Sequence, residues 1–229
     1  MLERIELLIN KDQINKIKKT KIIIIGVGGV GGAALEGLVR SGYENITIVD
    51  NDTIDESNLN RQIITTKEYI GQYKCEIAEK RAKSINPNIN IKTIPSFITK
   101  DNINELNIAN YDYIIDTQDT TETKILLIKE AIKNKIKIIS SMGTGNRIDP
   151  SKLIITNIWK TNNDPLAKKI RHLLREEKIN AKIPVISSTE LPIIKSNKAI
   201  GSTPFVPNTA GFMLASYIFK DTIKENEDK

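Results

Sequence analysis

The chain has 229 residues, 39% hydrophobic and 5% aromatic, and 34 Lys+Arg against 28 Asp+Glu leave a net charge of +6. A chain this long buries its own core without staples, and a single cysteine, Cys75, excludes an internal disulfide and a cysteine-built metal cage. No apolar run approaches the roughly 20 residues that span a bilayer, and Met1 to Asn10 lack the basic flank and apolar stretch of a signal peptide, so the sequence reads as cytoplasmic with no membrane partner. The moderate basic excess suits a polyanionic partner without identifying one.

Residues 11–19 space Ile14 and Ile17 on one side of a short helix. It leads into Lys21-Ile22-Ile23-Ile24-Ile25, a β-branched block that reads as a buried strand. Gly26-Val27-Gly28-Gly29-Val30-Gly31-Gly32 follows, then helix formers from Ala33 to Arg40, stopped by Ser41-Gly42. Ile46 to Val49 form the next strand, closed by Asp50. The stretch 51–71 is polar and too long for an ordinary crossover, which marks it as functional. Helices are expected over 72–85 and 121–134, and strands over 89–94, 113–116 and 136–140. Beyond Met142 come a Gly-Thr-Gly-Asn turn, a strand near 153–158, a basic amphipathic helix from Pro165 to about Glu177, a strand around 183–187, a Ser/Asn/Pro-rich stretch and a closing helix over about 208–223. The charged tail from Lys224 to Lys229 is expected to fray. This alternation specifies an α/β fold, a Rossmann-like, doubly wound, mostly parallel sheet with a C-terminal β/α extension. No linker divides it, so 1–229 reads as one domain, with a nucleotide-binding core over 1–142 and an extension over 143–229.

Gly26, Gly28 and Gly31 have the spacing that lets a backbone approach a phosphate at a helix N-terminus, with Gly29 added. Asp50, about twenty positions on, stands where a carboxylate accepts from ribose hydroxyls. To this point NAD and ATP fit equally. Downstream, Arg61 brings a planar fork suited to phosphate and Lys74 a compact charge, which serve a triphosphate better than a nicotinamide.

Taken together, Gly26 to Gly31, Asp50-Asn51-Asp52, Ser57 to Gln62, Gly71 to Lys74 and Asp116-Thr117-Gln118-Asp119 resemble, in order and spacing, the ThiF/MoeB/HesA superfamily of ubiquitin-activating-enzyme-like adenylating proteins. The second half narrows the resemblance. Gly143 to Pro150, Lys160 to Ala167 and Ser202 to Pro207 are similar to the tRNA threonylcarbamoyladenosine dehydratase family. The resemblance implies an ATP-dependent cyclisation of threonylcarbamoyladenosine in tRNA, in which ATP and Mg²⁺ activate the substrate carboxylate and a nucleophile of the same modification displaces AMP. It implies that Gly28 and Gly29 let the backbone approach ATP, that Asp50 holds the ribose, and that Ser57, Asn58 and Arg61 lie at the phosphates. It further implies that Lys74 neutralises charge, that Asp119 helps hold Mg²⁺, and that Thr120 and Asp52 belong to the ATP site. Arg61, Lys74 and Asp119 are the expected catalytic residues. Asp116 either acts directly or caps the next turn. Arg4 matches an arginine that reaches ATP from a neighbouring protomer, which implies a homodimer.

On the basic helix, Lys168, Lys169, Arg171 and Arg175 are candidate contacts to the tRNA backbone, and His172 among them reads as solvent-facing or phosphate-contacting. Sulfur-transfer partner proteins are left open, since a relative that passes on sulfur needs an acceptor cysteine and Cys75 reads as packing. Two departures from the family pattern stand out: Asn10 where glycine is usual, and Thr117-Gln118 where smaller or aliphatic residues are usual. Gly37, inside the first long helix, reads as close packing on the sheet. The competing functions are activation of a carrier protein and non-catalytic binding of tRNA or nucleotide.

Overall fold

In the computed structural model, which describes residues 1–193 and 200–224, Asn10 starts the first helix. Its side chain accepts from the Gln13 amide at 2.9 Å, and the Gln13 side chain accepts from the Asn10 amide at 2.9 Å. That reciprocal cap opens α1 (Lys11–Lys19) and gives the asparagine a local reason. The isoleucine block forms β1 (Lys21–Ile25), followed by α2 (Gly29–Arg40) and β2 (Asn45–Val49). Helix α2 begins at Gly29, before the expected Ala33, because the glycines themselves make its first turn. The long polar stretch holds only short 3₁₀ turns at Glu56–Asn58 and Lys67–Tyr69. Then come α3 (Lys74–Ile85), β3 (Asn90–Ile94), β4 (Tyr113–Asp116), α4 (Thr121–Asn134) and β5 (Lys137–Ser141). The C-terminal part adds β6 (Leu153–Asn157), α5 (Pro165–Glu176), β7 (Pro184–Ser188) and α6 (Phe205–Ile223). The part of the tail expected to fray beyond Lys224 lies outside the described residues, as does 194–199 of the Ser/Asn/Pro-rich stretch.

The strands form one seven-stranded sheet in the order β3-β2-β1-β4-β5-β7-β6. All pairs are parallel except β6 with β7. The chain runs outward from β1 to β3 and then resumes on the other side of β1 at β4, which opens a crevice at the carboxyl ends of β1 and β4. Alternation along β1 divides the core: Ile22 and Ile24 pack with α2, α3 and α6 on one face, while Ile23 and Ile25 pack with α4 and α5 on the other. All four are fully buried, each worth roughly 1.5–3 kcal/mol of transfer free energy.

Helix α6 lies along α2 at close range. A Cβ on Gly37 would come within 2.9 Å of the Ala215 Cβ, and one on Gly211 within 2.2 Å of the Val30 carbonyl oxygen. Gly37 is therefore required by packing on α6, not on the sheet as expected. The other side of α2 is tied to α3. The buried Glu36 carboxylate meets Arg40 at 2.6 Å and Arg81 at 2.9 Å. Burial pushes the Glu36 carboxyl up, but the two arginines outweigh it and hold it below the usual glutamate range. A carboxyl lowered in the folded state stabilises the fold above its unfolded value, and that contribution fades as pH falls through the folded value. Glu36→Gln should thus lose about 1 kcal/mol at pH 7, discounted for the exposed arginine ends, and the deficit should shrink in urea titrations taken progressively into acid.

Candidate active site

The crevice is a cavity of about 640 Å³ built around the glycine turn. Gly26 leaves β1 with φ of +91°, a conformation that side chains rarely adopt, and donates to the Val49 carbonyl at 2.8 Å. A Cβ on Gly31 would stand 1.9 Å from the Gly26 oxygen, so the start of α2 presses directly on the turn. Gly28 is the N-cap of α2 and offers no side-chain acceptor, and the first turn carries no acidic residue. The N–H groups there remain available to an anion.

Asp50 is buried beneath this turn. Its Oδ2 accepts from the Val27 amide at 2.7 Å and its Oδ1 from the Asp52 amide at 2.8 Å. Each oxygen keeps a further lone pair for a ligand hydroxyl. Burial raises the Asp50 carboxyl above the usual range, opposed by these amides and by Lys74. Lys74, at the start of α3, is buried and meets the exposed Asp52 carboxylate at 2.7 Å. Asp52 lies on the cavity wall and holds the lysine there. Arg61 also lines the cavity, with Nη1 folded back on its own loop, donating to the Ser57 carbonyl at 2.6 Å and the Asn60 side chain at 3.0 Å. Gly28, Gly29, Asp119 and Thr120 are on the wall as well, the last two at the turn between β4 and α4.

Other expected residues stand elsewhere. Ser57 and Asn58 are not on the wall; Asn58 is buried and its Oδ1 accepts from the Asp55 amide at 3.1 Å, which shapes the turn that carries Arg61. Asp116 is sealed off with no exposed surface, so the capping alternative describes it and direct contact with a ligand does not. Its Oδ1 accepts from the Gln118 amide at 3.3 Å, and its Oδ2 pairs with the fully buried Lys124 at 3.0 Å. The same ammonium donates to Ser140 Oγ at 3.1 Å and the Ser141 carbonyl at 2.7 Å, joining the ends of β4 and β5. Arg4 is exposed and not on the wall, in an N-terminal segment whose Leu2 packs on Gly42 beyond the far end of α2.

The wall contains residues that had no assigned role: Gln62, Phe97, the run Ser141 to Gly145, Leu166, Ile200, Ser202 and Pro207. Gln62, Gly143 to Gly145, Leu166, Ser202 and Pro207 lie inside the motifs that carried the resemblance, which was the available signal. Phe97, Ser141, Met142 and Ile200 had none. Behind the Gly143–Gly145 loop, buried Arg147 donates to the Gly143 carbonyl and, at 3.1 Å, to the Asn163 carbonyl. Asp164 accepts there from the Gly143 amide at 3.1 Å and caps α5 through the Ala167 amide at 3.0 Å.

On α5, Lys168 and Lys169 are exposed. Arg171 is partly buried, with Nη1 donating to Thr161, and the Arg175 guanidinium lies 5.5 Å from the Trp159 ring centroid. His172 is exposed and lies 3.3 Å from Glu176. Cys75 is fully buried, and burial raises its thiol, which suits packing and not nucleophilic attack. Among the described residues no group of three or more His, Cys, Asp or Glu could cage a metal, and no helix is long and apolar enough to cross a membrane.

The chain is similar to known proteins in sequence and in overall fold. The ThiF family model covers residues 2–157. The tRNA threonylcarbamoyladenosine dehydratase of Bacillus subtilis is 36% identical over 243 residues, spanning 99% of this chain and 96% of its own. The E. coli tRNA N6-threonylcarbamoyladenosine dehydratase, crystallised in complex with ATP, superposes with a TM-score of 0.89 at 31% identity, covering 95% of this chain and 91% of that one. The same enzyme in complex with AMP gives the same score. The buried Lys124–Asp116 pair yields a direct expectation. Lys124→Met leaves an uncompensated carboxylate in the core and should cost about 3–5 kcal/mol in urea unfolding, whereas an exposed-lysine loss costs under about 1 kcal/mol.

Proposed function

Because the chain belongs to the ThiF family and, within it, to the tRNA threonylcarbamoyladenosine dehydratases, we propose that it uses ATP to dehydrate threonylcarbamoyladenosine in tRNA to the cyclic form. The observation that carries this reading is the single cavity in which an uncapped helix N-terminus, a ribose-type carboxylate, Lys74 and Arg61 meet a second wall from the Gly143–Gly145 loop and α5. One half suits a nucleotide, and the other leaves room for an acceptor beside it.

In this reading Asp50 holds the ribose and the α2 amides with Arg61 hold the phosphates. The substrate carboxylate displaces pyrophosphate to give an acyl adenylate; a nitrogen or oxygen of the same modification then attacks the acyl carbon, losing its proton as AMP departs. Lys74, held by Asp52, neutralises charge that grows on the phosphates, and Arg61 turns outward from its loop to do the same. Attack from within the modification replaces an encounter with an intramolecular step. No thiol is required, in keeping with the buried Cys75.

Mg²⁺ fits this donor set, because it is commonly held by one or two carboxylates plus substrate phosphates, and Asp119 stands exposed on the cavity wall. The ion would supply charge neutralisation at the phosphates. Lys168, Lys169 and Arg175 are the exposed candidate contacts for tRNA backbone on α5, Arg175 lying over the Trp159 ring, while Arg171 is partly buried and donates to Thr161. Arg4 reaches ATP only from a second protomer, which makes the active form a homodimer. The cytoplasm is where ATP and tRNA meet.

Mass spectrometry of nucleosides from threonylcarbamoylated tRNA, incubated with protein and Mg-ATP and worked up without amines, tests the reading. The modified nucleoside should lose one water, about 18 mass units, only with ATP, and Arg61→Ala should slow that loss about 100-fold or more. An unchanged nucleoside with folded, ATP-binding protein would contradict it.

A further inference from the structure

Residues 200–208, the approach to α6 and its first turn, cross from one wall of the cavity to the other, and Ile200, Ser202 and Pro207 line it. At one end Gly201 is clasped by Asn146, which follows Gly145 on the opposite wall. The Asn146 amide donates to the Gly201 carbonyl at 2.7 Å, and the Asn146 Oδ1 accepts from the Gly201 amide at 2.6 Å. Asn146 does this from the left-handed region, with φ of 56°. At the other end Asn60 Nδ2 donates to the Ser202 carbonyl at 3.0 Å, and Asn208 Nδ2 donates to the Arg61 carbonyl at 3.0 Å. Asn60 has a second partner, because its Oδ1 accepts from Arg61 Nη1 at 3.0 Å. One carboxamide thus ties the Arg61 guanidinium to a segment that is itself clasped to the end of the Gly143–Gly145 loop.

The seam between this segment and the Arg61 loop is under-satisfied. Among the described residues, the buried side-chain polar atoms with no hydrogen-bond partner are Gln62 Oε1, Thr203 Oγ1 and Asn208 Oδ1, and all of them belong to it. Unpaired atoms of this kind destabilise the arrangement that leaves them so. The seam is therefore poised to shift, and Arg61 is the residue on it that a phosphate draws away. We propose that Asn60 is a positioning residue that couples the two halves of the cavity. As Arg61 leaves Asn60 for the phosphates, residues 200–208 move and carry the Gly143–Gly145 loop with them through Asn146, so that bound nucleotide tightens the binding of modified tRNA. The inference rests on the reading that this cavity holds ATP beside threonylcarbamoylated tRNA. Nucleotide binding completes part of the rearrangement before the acceptor arrives, and by linkage the acceptor tightens nucleotide binding by the same factor.

The test is the affinity for threonylcarbamoylated tRNA, read by fluorescence anisotropy with and without Mg²⁺ and an ATP analogue. A methylene group bridges the α and β phosphorus atoms of the analogue, so adenylation cannot proceed. Asn60→Ala removes the ties to both Arg61 and Ser202, while Asn146→Gly removes the side-chain clasp on Gly201 and tolerates the same backbone conformation. The analogue should tighten tRNA binding about 10-fold in the unsubstituted protein and about 2-fold or less in either variant. Measured without tRNA, the analogue should bind Asn60→Ala no more weakly than the unsubstituted protein, since Arg61 loses a contact that holds it back. A merely structural role for Asn60 would lower both affinities together and leave the ratio intact, and that result would overturn the proposal. So would a lack of tightening in the unsubstituted protein. Loss of tightening in Asn60→Ala but not in Asn146→Gly would overturn it too, by confining Asn60 to the nucleotide half. Failure of the unsubstituted protein to bind the analogue or the tRNA at all would instead remove the underlying reading of the cavity.

Discussion

A side chain on Gly31 would have to share space with the carbonyl oxygen of Gly26, 1.9 Å from its Cβ, and with Thr117 Oγ1 at 2.7 Å. That contact is where β1, the first turn of α2 and the end of β4 meet. Thr117 reinforces it by donating to both the Ile25 and Gly26 carbonyls, at 3.0 and 2.7 Å. Because α2 can press so closely on the turn, its N-terminal amides point into the crevice that opens where the sheet changes direction. The nucleotide half of the cavity is the consequence, since any wider spacing would move those amides away from a phosphate.

Polar pairs also set the rest of the wall, two of them buried and the third buried only at its lysine. Lys124 and Asp116 join the ends of β4 and β5, Arg147 and Asp164 hold the Gly143–Gly145 loop against α5, and Asp52 fixes Lys74. The two buried pairs add little net stability over well-packed apolar residues, yet removing one partner from either is costly. Their value here is position: each sits at the carboxyl end of a strand or the start of a helix, where loops would otherwise be free to move. The C-terminal part of the chain takes part in the same sheet through β7 and β6, so the loops at this end of it are carried on the same sheet as the glycine turn.

Much of this was legible in the residues. The isoleucine block, the glycine run and Asp50 foretold strand, turn, helix and a carboxylate on the cavity wall, because each rests on local chemistry that tolerates few substitutes. Helix α4 fell on its expected bounds, since its pattern ends cleanly in Asn134 and Lys135, which turns left-handed at φ of 57°. Non-local contacts were less legible. Nothing near Gly37 in sequence reveals that α6 will lie across it. Arg171 and Asp116 look like free charges until folding brings Thr161 and Lys124 to them. Phe97 and Ile200 reach the cavity from loops whose sequences carry no periodic signal. Asn58 reads as a ligand contact in the motif, but its side chain is engaged in the turn that presents Arg61.

The account turns on the claim that the absence of a side chain at position 31 builds the nucleotide site. ATP affinity of Gly31→Ala, measured by calorimetry alongside its urea midpoint, tests that claim most directly. The added methyl has no room beside the Gly26 carbonyl, so α2 must shift from the turn. The expected result is ATP binding weakened at least about 10-fold, with a stability loss of about 1–3 kcal/mol despite alanine's better helix propensity. Unchanged ATP affinity and stability in that variant would contradict the account.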